Sequence, residues 1–505
     1  MLLGRLVGQA LTTPLEWWAM KSFAQLAIGL GILLVGALEV LGAERPNVLW
    51  IIAEDMSPHF GCYGERSIQT PNVDRLAKEG TLFRQAYVTA PICSTSRSAL
   101  ITGMYQTSIG AQHHRSGRGT MKIELPNGVV PVPELFRRAG YWTCNGYLSQ
   151  KAGSREIAKT DYNFEWNASM YDGNDWAQRA ADQPFFAQIQ LHGGKVRDGK
   201  DAAAVLKRAL GMLTDPSGLQ LPPYYPKTTG MLDDWGLTLD ACRLVDLQIG
   251  QIRERLEREG LLNKTVIFFI TDHGVSHARG KQFLYDEGTR IPCVVRGPGV
   301  GAGVERGDLV EHIDLAASSL AFAGIAKPEG MQSQDVFSQG YKARRAVFAA
   351  RDRADETVDR IRSVRTEKWL YVRNYLPERP HLQPNHYKDH KPCLIALRAA
   401  EASGELNELQ RRLLFAPSRP AEELYDLKQD PNQVRNLAAE AKLGSVLDEL
   451  RGLLREWEQS TGDRGRQPES EAMYDSDMAE YLGKRKNPEI EANISLMKRW
   501  AKEGK

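Results

Sequence analysis

The sequence predicts an α/β fold, a buried sheet of parallel strands followed by a smaller antiparallel-sheet domain. Three observations predict it. Residues 48–53 and 265–271 are continuous apolar runs of strand length, the pattern of strands buried on both faces. Each run ends in polar, acidic residues, Glu54-Asp55 and Asp272-His273. In open α/β sheets the ligand crevice lies outside the carboxyl ends of the strands. From about Arg345 the pattern changes to short strands at 346–350, 361–366 and 369–374.

A chain of 505 residues has room for a large core and a second domain. Its 65 basic and 63 acidic residues nearly cancel, which excludes a dedicated nucleic-acid binder. The six cysteines (62, 93, 144, 242, 293 and 393) are too scattered for a disulfide scaffold or a CxxC metal site. At the N-terminus, Met20-Lys21 precedes an apolar segment, 23–42, and Gly42-Ala43 offers a small-residue cleavage point. Residues 1–43 therefore read as a signal peptide starting at Met20 plus an N-terminal extension. The protein is expected to be secreted or periplasmic, with no stable membrane partner. An uncleaved anchor is the competing reading, and Glu39 near the end of the run and Leu41 at the −3 position weigh against both.

In chain order, the strand at 48–53 leads to Glu54-Asp55. Adjacent carboxylates at a strand end are costly unless paired, and a hard divalent cation pairs them; a solvated turn is the plain alternative. Residues 71–80 read as a short helix stopped by Gly80. Residues 90–103 place Cys93 just before a helix start, with Ser94, Thr95 and Ser96 as caps and Ala99, Leu100 and Ile101 opening the apolar face. A nucleophile there sits at the positive end of the helix dipole, and Arg97, one turn on, can pair with an oxyanion. The bland reading is a buried cysteine at an ordinary helix end. His113 and His114 point different ways, so they do not grip one metal together; His114 is a candidate substrate contact, with an ordinary loop histidine pair as the equal alternative.

A helix at 133–139 and a strand at 140–145 follow, and then Lys159-Thr160-Asp161. Residues 183–191 form a strand that ends at His192. A rigid loop, 221–226, precedes a long helix at 233–259 with Leu239, Leu244, Leu247 and Ile252 in helical spacing. Residues 265–271 are the clearest buried strand, and 293–295 the next. Residues 311–316 open the last helix of the large domain. Arg351, Arg353, Arg360, Arg362 and Arg365 either rim a pocket for an anionic sugar or line solvated strand edges. After Thr461 the chain is highly charged and low in aliphatics, an extended or helical surface tail.

Residues 93–103 resemble the type I sulfatase signature, Cys-x-Pro-Ser-Arg-x-x-Leu-x-Thr-Gly. Cys93, Ser96, Arg97, Leu100, Thr102 and Gly103 match, and Thr95 replaces the proline. Residues 280–292 resemble the family's Gly-Lys-x-x-x-Tyr-Glu-x-Gly-x-Arg-x-Pro segment, and 423–427 with Asp430-Pro431 and 436–438 resemble its C-terminal signature. The resemblance implies an alkaline-phosphatase-like α/β/α sandwich with a smaller C-terminal antiparallel-sheet domain. The catalytic domain would span 44–344, an α+β subdomain 345–462 and a charged tail 463–505.

The resemblance also implies that a formylglycine-generating enzyme oxidises Cys93 to formylglycine. One hydroxyl of the hydrated aldehyde attacks sulfur, and the other expels sulfate. Glu54, Asp55, Asp272 and His273 would hold one Ca²⁺ beside residue 93, with His273 either a ligand or a contact of the nucleophile. Lys159 and Lys281 would bind sulfate, Lys151 being a rival for the first role. His192 would touch the sulfate or its leaving oxygen. The substrate implied is a sulfated carbohydrate, cleaved at a sulfate ester or sulfamate, as in the sulfamidase and heparan-sulfatase-like subgroup. Two other readings stay open: a phosphodiesterase or phosphonate hydrolase of the same superfamily, and a secreted glycan-binding protein in which Cys93 is not converted.

Overall fold

The computed structural model describes residues 45–148, 154–483 and 487–505. The proposed signal segment and Lys151 lie outside these residues. The large sheet comprises β1 (Asn47–Ala53), β2 (Thr81–Tyr87), β3 (Trp142–Tyr147), β4 (Phe185–Leu191), β5 (Thr265–Thr271), β6 (Arg290–Ile291), β7 (Cys293–Arg296) and β8 (Val304–Glu311). Its order is β3-β4-β1-β5-β7-β2-β6, with β8 paired to β2. β3, β4, β1 and β5 run parallel. β7 runs antiparallel to β5 and β2, so the sheet is mixed where the buried runs alone suggested a parallel one.

Alternation along the central strands explains why they read as continuous apolar runs. Leu49, Ile51, Ile267 and Phe269 enter one core, while Val48, Trp50, Ile52, Val266, Phe268 and Ile270 enter the other. The first core is closed by α1 (Pro71–Lys78) and by the long α4 (Thr229–Arg258), through Val73, Leu76, Leu239, Val245 and Ile249. The second is closed by α2 (Cys93–Thr102), α3 (Val132–Arg138) and α5 (Asp314–Phe322), through Leu100, Ile101, Phe136, Leu315 and Leu320. Helices on both faces of one sheet make the α/β/α sandwich.

The smaller sheet, β9 (Val347–Arg351), β10 (Ile361–Arg365), β11 (Trp369–Asn374) and β12 (Glu422–Asp426), is antiparallel throughout in the order β12-β11-β10-β9. α6 (Gly444–Ser460) covers it with Leu447, Leu450, Leu454 and Trp457. The charged C-terminal stretch is more than a solvated tail. It folds into α7 (Glu471–Leu482) and α8 (Pro488–Lys502), which share a small core of Tyr474, Met478 and Met497. Its acids Asp463 and Asp477 are buried against arginines of the sheet region. Residues 46–505 form one unit.

Candidate active site

Three central strands end level. Ala53 pairs with Leu191 on one side and Thr271 on the other, so Glu54-Asp55, Asp272-His273 and the 192–195 loop leave the sheet at one edge. Asp55 takes a left-handed backbone with φ of 54°, a strained conformation for a residue with a Cβ. Its N–H donates to Asp272 Oδ1 at 3.0 Å, which locks the two strand ends together. Gly194 donates to the Glu54 carbonyl at 2.7 Å. A Cβ on Gly193 or Gly194 would lie 2.4 Å or 2.3 Å from a backbone oxygen of Glu54 or Asp55. Only glycine permits that approach, and the approach delivers Lys195 to Glu54.

α2 begins at Cys93, with Ile92 at the N-cap and no side-chain cap. The three hydroxyls expected as caps bond elsewhere. Thr95 donates to the Ile92 carbonyl at 2.8 Å, Ser96 to the Asp272 carbonyl at 2.5 Å, and Ser94 Oγ lies 2.7 Å from His114 Nδ1. The N-terminal amides of a helix without a side-chain cap remain available to an anion beside Cys93. All ten residues of α2 are buried.

Cations converge on the cysteine. Lys281 Nζ is 3.1 Å from Cys93 Sγ, 3.2 Å from each Asp55 oxygen and 3.0 Å from the Tyr387 hydroxyl. Lys195 Nζ is 3.7 Å from Sγ and pairs closely with Glu54. Lys159 Nζ is 2.7 Å from Glu54 Oε2 and 3.6 Å from Asp161. Arg97 donates to Asp272 through Nε at 3.3 Å and to Gln190 through Nη1 at 2.8 Å. His273 Nε2 is 3.2 Å from Sγ, while its Nδ1 meets the Gly274 carbonyl at 2.9 Å.

The electrostatics follow from this crowding. Burial opposes ionisation of Cys93, but Lys159, Lys195 and Lys281 outweigh it and bring the thiol down to about 6. Burial likewise opposes charge on Asp55, yet Lys281, Lys195 and His273 hold it well below the usual carboxylate range. Glu54 is lowered in the same way by Arg97, Lys159 and Lys195. Burial works against a charged His273, and Asp272, Cys93 and Asp55 overcome it to raise its pKa.

Asp55, Cys93, Asp272 and His273 each offer a ligand atom within 4.8 Å of the others. The separations among Cys93 Sγ, Asp55 Oδ1, Asp272 Oδ1 and His273 Nε2 include 3.2, 3.3, 3.6 and 3.8 Å. Two ligands about 2.4 Å from Ca²⁺ at a right angle are about 3.4 Å apart, so the set fits the edges of such a coordination shell. Glu54 is turned toward Lys159 and Lys195 and is not part of this group.

Of the other residues singled out in the sequence, His114 is buried beside Ser94, with Nε2 3.6 Å from Asp355. His192 is exposed and stacks on Tyr147 at 5.1 Å, outside the group at Cys93. Arg351 and Arg353 are both held in buried ion pairs. Arg351 is buried against Asp359 at 2.7 Å, and Arg353 against Glu469 and Asp477 at 2.7 and 2.6 Å. Sequence reasoning missed Lys195, Tyr387 and Gln190. The Gly193-Gly194 pair ahead of Lys195 was the available signal for the first. Tyr387 carried none, because it arrives from a segment far along the chain.

Residues 46–325 match the family model described as Sulfatase, and residues 273–382 match one described as N-sulphoglucosamine sulphohydrolase, C-terminal. The chain is 33% identical over 481 residues to an ulvan-active sulfatase of Formosa agariphila, covering 86% of this chain and 78% of that protein. It is 25% identical over 477 residues to N-sulphoglucosamine sulphohydrolase of Homo sapiens, covering 84% of this chain and 93% of that one. A structure solved in complex with its substrate D-glucosamine-2-N,6-O-disulfate shares the fold with TM-score 0.55 at 19% identity, covering 83% of this chain and 98% of that one.

Proposed function

This chain belongs to the sulfatase family and is a sulfuric ester hydrolase, and from that premise we propose that it desulfates a sulfated carbohydrate, at an ester or sulfamate, with formylglycine made from Cys93 as nucleophile and one Ca²⁺ beside it. The observation that carries the reading is the convergence of Lys195, Lys281, His273 and Asp55 on one sulfur at an uncapped helix start. Relatives described as acting on ulvan or on N-sulphoglucosamine support a carbohydrate. So does a cavity of about 520 Å³ lined by Lys159 together with Arg118, Lys122, Asp161 and Trp166, which pairs cations for sulfate with an aromatic face for a sugar ring.

Asp55 and Asp272 are the residues that would hold Ca²⁺, while Glu54 is turned toward Lys159 and Lys195. When bound, the ion supplies charge neutralisation for the sulfate, and a formylglycine at position 93 supplies the attacking hydroxyl. Lys281 and Lys195 flank the reacting atom and bind sulfate oxygens, strengthening that grip as negative charge develops. Arg97 keeps Asp272 ionised and in place. His273 donates Nδ1–H to the Gly274 carbonyl, which leaves Nε2 in contact with residue 93. The N-terminal apolar segment supports export to a secreted or periplasmic location; no helix among the described residues is long and apolar enough to cross a membrane.

The experiment is mass analysis of the tryptic peptide 85–97 from the native host, followed by turnover of sulfated glycans and matched phosphate esters. An aldehyde at position 93 with sulfate release supports the proposal. An unmodified thiol in cells that convert other sulfatases rejects the formylglycine mechanism and favours a glycan-binding role. Preference for the phosphate esters moves the protein to the phosphodiester or phosphonate reading.

A further inference from the structure

Away from Cys93, the described residues hold two more convergences of ligating side chains. The first, Asp234, His277 and Cys393, is already occupied by a cation of the protein: Arg197 Nη1 lies 2.5 Å from Asp234 and 2.9 Å from His277. The second, His386, His390 and Glu489, has no such occupant among the described residues. His386 opens the short helix His386–Asp389, and His390 follows four residues later, so both imidazoles project from one side. Glu489 stands in the first turn of α8.

Both imidazoles aim at the same oxygen. His386 Nδ1 is 2.9 Å and His390 Nε2 is 3.4 Å from Glu489 Oε2, with the two rings 4.5 Å apart. Neighbouring ligands of a tetrahedral Zn²⁺, at about 2.0–2.2 Å from the metal, are about 3.3 Å apart. The two measured separations bracket that value. The side chains are 28%, 58% and 40% exposed, which leaves an entry path and room for water as the fourth ligand. The donor set differs from that at Cys93: imidazole nitrogens outnumber carboxylates here, which suits a borderline transition metal and not Ca²⁺.

We propose that His386, His390 and Glu489 bind one Zn²⁺-class ion that ties α8 to the segment 385–391. That segment reaches the catalytic centre with its other side. The Tyr387 hydroxyl is 3.3 Å from Asp55 and 3.0 Å from Lys281, and Lys388 Nζ donates to the His277 and Lys281 carbonyls at 2.8 and 2.5 Å. The two partners are already aligned: the His386 N–H and the Asn493 amide both donate to Glu356 Oε1, at 2.6 and 2.9 Å. The ion therefore pins the C-terminal helix against a wall of the active site.

The test uses the full chain with Ca²⁺ in excess, titrated with Zn²⁺ against a colorimetric chelator, in the wild type, His390→Ala, Glu489→Gln and Cys93→Ser. One Zn²⁺ equivalent is expected in the wild type and in Cys93→Ser. At least an about 10-fold weaker site is expected in His390→Ala and Glu489→Gln, with loss of the Zn²⁺-dependent rise in unfolding temperature. His390 is largely exposed, and metal-free unfolding curves that coincide with the wild type check that the fold is kept. Equal stoichiometry and affinity in the wild type and His390→Ala, binding lost only in Cys93→Ser, or no binding tighter than about 1 mM would each overturn the proposal.

Discussion

Two regions of this molecule bury charge in opposite ways. Beside the smaller sheet, the guanidiniums are matched locally by carboxylates. Arg362 pairs with Asp463 and Asp352 at 2.7 and 3.2 Å, Arg353 with Glu469 and Asp477, and Arg351 and Arg419 with Asp359 at 2.7 and 2.9 Å. Around Cys93, by contrast, Lys159, Lys195, Lys281 and Arg97 share Glu54, Asp55 and Asp272, and the lysine fields sum at one sulfur. Charge matched locally is a joint: it fastens the C-terminal stretch to the sheet and leaves little field over. Charge that converges on a nucleophile position is a site, since its field can act on an incoming anion. Buried arginine alone therefore does not mark substrate binding.

The contrast can be broken from both sides. Cys93→Ala is expected to lower kcat by about 10⁵-fold or more while leaving the unfolding curve in place, measured as sulfate release beside a denaturant titration. Arg362→Ala acts the other way round. It strands Asp352 and Asp463 in a buried setting and is expected to cost about 3–5 kcal/mol in urea unfolding, with kcat per folded molecule unchanged. Lys195→Ala removes one cation from the convergent cluster; a loss of about 10²–10³-fold in kcat/KM is expected, together with an upward shift in the alkylation pKa of unconverted Cys93 from about 6.

Acid sharpens the comparison. Burial opposes charge on Asp359, but Arg419 and Arg351 hold its folded pKa at about 2, below the value of about 3.9 in the unfolded chain. Its contribution is thus complete above about pH 4 and lost as pH falls through about 2, and Asp359→Asn should flatten that limb of a stability-against-pH curve. The smallest effect is expected from His192→Ala. An exposed ring stacked on Tyr147 should change kcat/KM by less than about 3-fold, and a loss near 100-fold would return His192 to the reacting centre.

Much of this protein was legible in its sequence because the signals were local. Strands β1 and β5 announce themselves as unbroken apolar runs, and their polar ends, Glu54-Asp55 and Asp272-His273, follow directly in the chain. Cys93 and Arg97 sit one turn apart on one helix, so their kinship needs no tertiary information. The fate of the other charged residues had no local signal. Arg353 and Arg362 look alike as free cations on a strand edge, and only the folding back of residues 463–477 supplies the acids that bury them. Lys195 and His192 differ by three positions in one loop, and the close passage of Gly193-Gly194 over Glu54 decides which of them turns inward. Periodicity and motif report what a residue's neighbours in the chain require. Whether a charge becomes a joint or part of a site depends on partners more than 100 residues away, such as Asp463 for Arg362 or Asp55 for Lys281, and only the tertiary structure brings those together.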